Sequence, residues 1–159
     1  MPGRARTHVP LPEGITDAAL RDLVSYSMKR AFNAMQADML RALAPFDLRL
    51  MTFAALSLIS ENPGLRPSQL ADGLAVERGN LVGILDALAA RNLIDRIPCP
   101  VDGRAQTLHL TEAGVAVLAR ARQAARAQDS RMVDVLDPDA LATLLSALAK
   151  IEEHARTRA

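Results

Sequence analysis

Arg78 and Asn80 are the side chains in this sequence whose chemistry best suits reading a base sequence. In the major groove of B-form DNA, arginine pairs bidentately with guanine and asparagine with adenine, each pair giving about 1–3 kcal/mol of discrimination. Both lie in the run Glu77-Arg-Gly-Asn-Leu-Val-Gly83, where Glu77 can cap a helix or accept from cytosine, capping being the favoured reading. Gly79 and Gly83 are four apart, and inside a helix each costs about 1 kcal/mol relative to alanine. That cost fits either a close approach of backbone to phosphates or bases, or a tolerated irregularity; Val82 lies between them on the outward side. Arg66 and Ser68 open a short helical segment, where phosphate contacts commonly form, and Arg66 reads equally well as a plain exposed charge. Arg96 either supports a neighbouring hairpin, the favoured role, or touches a phosphate, and Asp102-Gly103-Arg104 sits at that hairpin's turn.

Other chemistry is poorly supplied. Cys99 is the sole cysteine, so no disulfide and no cysteine-based zinc site forms within one chain. His8, His109 and His154 fall on separate elements without metal-ligand spacing. No phosphate-binding glycine loop, nucleophile elbow or paired catalytic motif occurs. Neither an enzyme nor a cofactor is therefore expected.

The bulk composition agrees with a binding protein and narrows its partner. The 159 residues suffice for one domain with a buried core, and half of them are apolar. The longest apolar stretch, Phe53 to Ile59, is far short of the roughly 20 residues of a membrane span. The N-terminal residues carry Arg4 and Arg6 with no apolar run behind them, so neither a secretory signal nor a transit peptide is read there, and the cytoplasm is the expected location. With net charge +1, charge permits nucleic-acid binding without arguing for it. An aromatic fraction of 3% with no tryptophan leaves few platforms for stacking single-stranded bases, which favours duplex DNA.

The elements that must position these residues follow from periodicity. Residues 17 to 43 place Leu20, Leu23, Val24, Met28, Phe32, Met35 and Met39 at the spacing of one long amphipathic helix ended by Pro45. Residues 47 to 60 form an almost wholly apolar helix, expected at the centre of the core and stopped by Asn62-Pro63-Gly64. Pro67 to Leu74 makes a short helix with proline at its first position; after the link Ala75-Val76, residues 77 to 91 make another, with Leu81, Ile84, Leu85 and Leu88 on one face. Two helices so joined are a helix-turn-helix. Asn92 suits a left-handed helix terminator, and residues 93–97 and 106–110 alternate as a hairpin around the Asp102-Gly103 turn. Thr111 caps a helix reaching about Leu136, and Asp137-Pro138 starts a last one striped by Leu141, Leu144, Leu145, Leu148 and Ile151.

The stretch LADGLAVERGNLVGILDALAARNLIDRIPCPVDGRAQTLHLTEAG resembles the winged helix-turn-helix of the MarR family of bacterial transcriptional regulators. The resemblance rests on Leu81 to Arg96, on Asp102-Gly103-Arg104, and on Leu110-Thr111-Glu112-Ala113-Gly114; with the flanking helices it covers roughly residues 17 to 155. It implies a mainly α fold with a small β-wing in one domain over 1–159, with dimerisation helices at 17–46 and 111–157 and a DNA-binding lobe at 47–110. It also implies a homodimer on a palindromic double-stranded operator, with half-sites about one helical turn apart. The stripes on the first and last helices support the dimer independently, being more apolar surface than a small monomer covers.

Arg104 resembles the family arginine that enters the minor groove, where narrow A·T-rich segments attract positive charge. This sequence departs from the family at Glu77, where a capping serine, threonine or aspartate is usual, and at Gly83, where a basic or long polar residue is common. Cys99 lies in the wing, whereas related peroxide sensors carry theirs near the N-terminus, so an inert thiol is expected. The family responds to small ligands, often aromatic acids, phenolics and their coenzyme A thioesters. A pocket between the long helices and the lobe would draw on Tyr26, Arg30, Phe32, Met35, Phe46 and Met51, and the regulator is expected to be a repressor. Residues 66 to 104 hold five arginines and five acidic residues. That balance implies a shallow salt dependence, and it leaves open a second reading, a winged-helix module that binds protein instead of specific DNA.

Overall fold

A computed structural model describes residues 11–99 and 106–158. Its centre is the apolar helix α3 (Leu50–Glu61), whose Ala55, Leu56 and Ile59 are fully enclosed. Around it pack α4 (Pro67–Leu74), α5 (Arg78–Ala90), the hairpin β1 (Ile94–Pro98) and β2 (Gln106–Leu110), and α6 (Glu112–Val133). Leu43, Leu48, Leu70, Leu81, Leu85, Leu88, Leu93, Leu108 and Leu118 complete one leucine-rich core.

The N-terminal helix is broken, contrary to the continuous 17–43 helix expected from its stripe. A four-residue turn of helix, α1 (Ala18–Arg21), precedes α2 (Val24–Leu43), and Leu23 between them is extended at φ −86°, ψ 115°. The cause lies nine residues apart in sequence: the Tyr26 hydroxyl donates to Asp17 Oδ2 at 2.7 Å, and Arg21 Nε pairs with the same oxygen at 2.9 Å. In an unbroken helix residues 17 and 26 would be about 13 Å apart along the axis. The two partners hold the Asp17 carboxyl below its usual range, Arg21 contributing most, and the same bond pushes the Tyr26 hydroxyl up.

The central helix starts at Leu50 and not at 47, because a single 3-10 turn (Ala44–Phe46) ends in Asp47, which is left-handed at φ 50°. The hairpin pairs antiparallel, Ile94 with Leu110 through Pro98 with Gln106, and Leu108 donates back to the Leu65 carbonyl at 2.9 Å, tying the wing to the loop after α3. Thr111 accepts from Gly114 N at 2.9 Å and donates to Asn92 O at 2.7 Å, so one hydroxyl caps α6 and closes α5. Asp137 caps α7 (Pro138–Arg156) through Ala140 N, while α6 stops at Val133, three residues before the expected end. α2 runs along α6, whereas α7 buries none of its residues. No single helix among the described residues is long and apolar enough to cross a membrane; only α2 and α3 taken together pass on length and composition, and they are bent by 70°.

Candidate nucleic-acid interface

The chain turns from α4 into α5 at Ala75, which is left-handed at φ 52° although Gly73 stands two residues earlier. Val76 N bonds back to Ala71 O at 3.0 Å, closing the turn. α5 then drives Leu81, Leu85 and Leu88 into the core. The 100° step per residue therefore turns Arg78, Gly79, Asn80, Val82 and Gly83 outward, and all five are exposed. This is the geometry a recognition helix requires: an apolar anchor on one side and a row of base-reading candidates on the other.

Glu77 occupies the N-cap position with its backbone alone. Its carbonyl accepts from Asn80 N at 3.0 Å and Leu81 N at 3.1 Å, but its side chain makes no cap bond, correcting the expected capping role. Glutamate is not among the preferred caps, whose shorter side chains reach the second or third helical N–H. Gly79 and Gly83 pack against nothing: a Cβ built on either meets no atom within 4 Å. Packing within the protomer therefore does not require glycine at either position. Arg66 and Ser68 sit together at the start of α4, where Arg66 N donates to Gln69 Oε1 at 3.0 Å; Arg66 is exposed and Ser68 half-buried.

Arg96 does not stand free on the wing. Its guanidinium bonds to Asp86 on α5, fastening the first wing strand to the outward side of the recognition helix. This favours the supporting role. Thr107 Oγ1 donates to Ile97 O at 3.1 Å and further locks the two strands toward the turn end of their ladder. Asp102 and Arg104, with the turn expected between them, lie outside the described residues. Cys99 is buried directly after β1. No three His, Cys, Asp or Glu side chains among the described residues could hold a metal ion together.

Sequence reasoning passed over Arg91, which fixes the far end of the recognition helix. Its guanidinium donates to Asp47 O at 2.6 Å and to Phe46 O at 2.8 Å, across 44 and 45 residues of sequence. It thereby ties α5 to the junction between α2 and the lobe. An Arg91→Met variant is expected to lose about 1–3 kcal/mol of stability, since two backbone carbonyls lose a charged donor. Urea unfolding followed by circular dichroism measures this, and an unchanged midpoint would show the tie to be dispensable.

The six residues expected to line a ligand pocket are not gathered at one place. Phe32 and Met35 line a narrow chamber of about 160 Å³ with Met39, Leu50 and Met132. That chamber meets a wider cleft of about 360 Å³ at Met39 and Asp129, which line both. The cleft adds Phe53, Ser57, Glu61, Arg122 and Arg126, and Arg122 is held by Glu61 Oε1 at 2.7 Å and Ser57 O at 3.3 Å. Met51 faces a groove of about 640 Å³ behind the recognition helix, which adjoins the chamber at Gln36 and Leu50 and reaches Gly83 and Arg91. Tyr26 is committed to Asp17, Phe46 lies 5.5 Å from the Arg120 guanidinium, and Arg30 Nε is buried without a hydrogen-bond partner among the described residues. The arginines and Met132 come from α6, nearly a hundred residues downstream, so local spacing carried no sign of them.

Comparison with known proteins gives consistent matches. A family model described as MarR family matches residues 46–105. The multiple antibiotic resistance protein MarR of Escherichia coli K12 is 31% identical over 111 residues, 69% of this chain and 76% of that protein. A protein assigned as transcriptional regulator of the hcr operon in Thauera aromatica is 35% identical over 99 residues; the match spans 62% of this chain and 60% of that protein's length. Among solved structures, the transcriptional repressor CouR bound to a 23-mer DNA duplex superposes with a TM-score of 0.83 at 36% identity, covering 87% of this chain and 98% of that one. CouR bound to p-coumaroyl-CoA superposes with a TM-score of 0.79 at 34% identity, covering 87% and 97%.

Proposed function

Because the chain belongs to the MarR family, we propose that it is a sequence-specific, double-stranded DNA-binding transcriptional repressor that acts as a cytoplasmic homodimer and is released by an aromatic acyl-CoA. The observation that carries this reading is α5, which is anchored by Leu81, Leu85 and Leu88 and turns Arg78, Asn80 and Val82 into solvent beside the wing. The similarity to a CouR–DNA complex over nearly its whole length supports the same mode of docking. Homodimerisation joins the exposed stripe of α7 to that of α1 and α2, placing two recognition helices on one palindromic site.

The effector reading is supported by the joined clefts. The chamber of Phe32, Met35, Met39, Leu50 and Met132 offers an apolar seat for an aryl group, and Arg122 and Arg126 on the adjoining cleft wall suit phosphates. A ligand wedged between α2, α3 and α6 would bind one spacing of the recognition helices better than another, which is what release from DNA requires.

Selection of bound sites from random duplex DNA tests the reading directly. The expected product is a palindrome with half-sites about one helical turn apart, from which p-coumaroyl-CoA, and not free coenzyme A, displaces the protein in an electrophoretic shift. Arg104→Ala is expected to weaken binding to that duplex at fixed salt without changing the fold; an unchanged affinity would remove Arg104 from the interface. Failure to enrich any sequence would favour the protein-interaction module instead.

A further inference from the structure

Among the described residues of the lobe between 47 and 110, two large apolar side chains stand out into solvent: Val82 at 55% exposure and Ile97 at 45%. Val82 lies on α5 itself, one turn after Arg78 and therefore in the same row on the helix surface. The neighbouring row is Gly79 and Gly83, which point farthest from the Leu81, Leu85 and Leu88 face and whose missing Cβ atoms would meet nothing inside the protomer. The outermost ridge of the helix is thus bare backbone, bordered on one flank by the groove that Gly83 and Ala87 line and on the other by the isopropyl group of Val82. Asp86, the next residue along that flank, is drawn aside to Arg96 and leaves Val82 uncovered.

An exposed valine on a DNA-facing helix offers an apolar contact, and the base edges of the major groove present one group to match it, the C5 methyl of thymine. We propose that Val82 is a specificity-determining residue that packs against a thymine methyl in each half-site, the bare ridge at Gly79 and Gly83 letting the helix come close enough to make the contact. The inference rests on the reading that α5 enters the major groove of duplex DNA. It adds a base identity and an apolar mode of readout to the hydrogen bonds expected of Arg78 and Asn80.

The test replaces thymine by uracil, which removes the methyl and leaves the hydrogen-bonding groups unchanged. Duplexes selected from random DNA by the wild-type protein are substituted one position at a time, symmetrically in both half-sites, and titrated at constant salt. At one position uracil is expected to weaken wild-type binding about fourfold per half-site, the loss of one buried methyl. Val82→Ala, an exposed change that favours helix, is expected to bind the thymine duplex as weakly as wild type binds the uracil duplex, with no further loss on uracil. Wild-type binding that is indifferent to uracil at every position overturns the proposal, as does a uracil penalty that persists undiminished in Val82→Ala. Selection that enriches no sequence overturns the DNA-binding reading and this inference with it, an outcome distinct from the other two.

Discussion

Gly114→Ala is expected to be destabilised by about 3 kcal/mol or more, the upper range for forcing an extra carbon into a packed site. A Cβ at position 114 would lie 2.0 Å from the Leu93 carbonyl oxygen and 2.9 Å from its carbon. Both atoms are backbone, so no side chain can turn away to make room. That same oxygen accepts from Thr111 N at 3.2 Å, at the point where the chain leaves the recognition helix for the wing. The shift needed to relieve the clash would therefore disturb the α6 cap and the wing together. Urea unfolding followed by far-ultraviolet circular dichroism checks the size. Gly79→Ala supplies the contrast: nothing lies within 4 Å of its Cβ, so the same substitution should stabilise α5 by up to about 1 kcal/mol. Equal effects at the two positions would contradict this difference in packing.

Leu145→Asp is expected to turn the protein into a monomer and to lower affinity for a two-half-site duplex by about 100-fold or more. Leu145 is 58% exposed and Leu144 42%, on a helix with no buried residue. Leu23, Val24 and Phe32 present a second stripe, each more than half exposed. Apolar area of this extent on one protomer calls for a partner, and a carboxylate set within it would have to be desolvated at the interface. The loss on DNA follows from linkage, since joining two half-site contacts raises affinity by about 10²–10⁴ over one alone. The core draws nothing from α7, so the lobe of the variant should keep its fold. Light scattering after size exclusion, with duplex titration, separates the outcomes; a dimer with undiminished DNA affinity would place the interface elsewhere.

Net charge makes a weak argument for DNA binding here, and the structure qualifies the balance between residues 66 and 104. Arg96 and Asp86 neutralise each other, and Arg91 is spent on backbone carbonyls and on Asp47. Among the described part of that stretch, Arg66 and Arg78 remain as exposed cations at the helix starts. Specific readout on such a surface depends on shape and on a few contacts more than on a positive field, which suits the shallow salt dependence expected from composition.

What the sequence determined by itself is the local part of this architecture. α4 and β2 have the bounds read from periodicity, Thr111 and Asp137 are the caps their types promised, and Asn92 is left-handed at φ 54°. Each of these depends on side chains within about four residues, or on the intrinsic φ preference of one residue, so pattern and position suffice. Tertiary structure alone decided the rest. Asp17 and Tyr26 break a helix that its stripe would continue, Ala75 takes a left-handed turn that glycine would hold more easily, and Arg91 crosses 44 residues to hold the Asp47 carbonyl. The clefts likewise gather α2, α3 and α6, scattering the residues that sequence reasoning had grouped. The run from Arg78 to Gly83 belongs to both accounts. Its period made it a helix, but only the burial of Leu81, Leu85 and Leu88 turns Val82 and the two glycines outward, because packing against a distant core sets which side of a helix faces solvent.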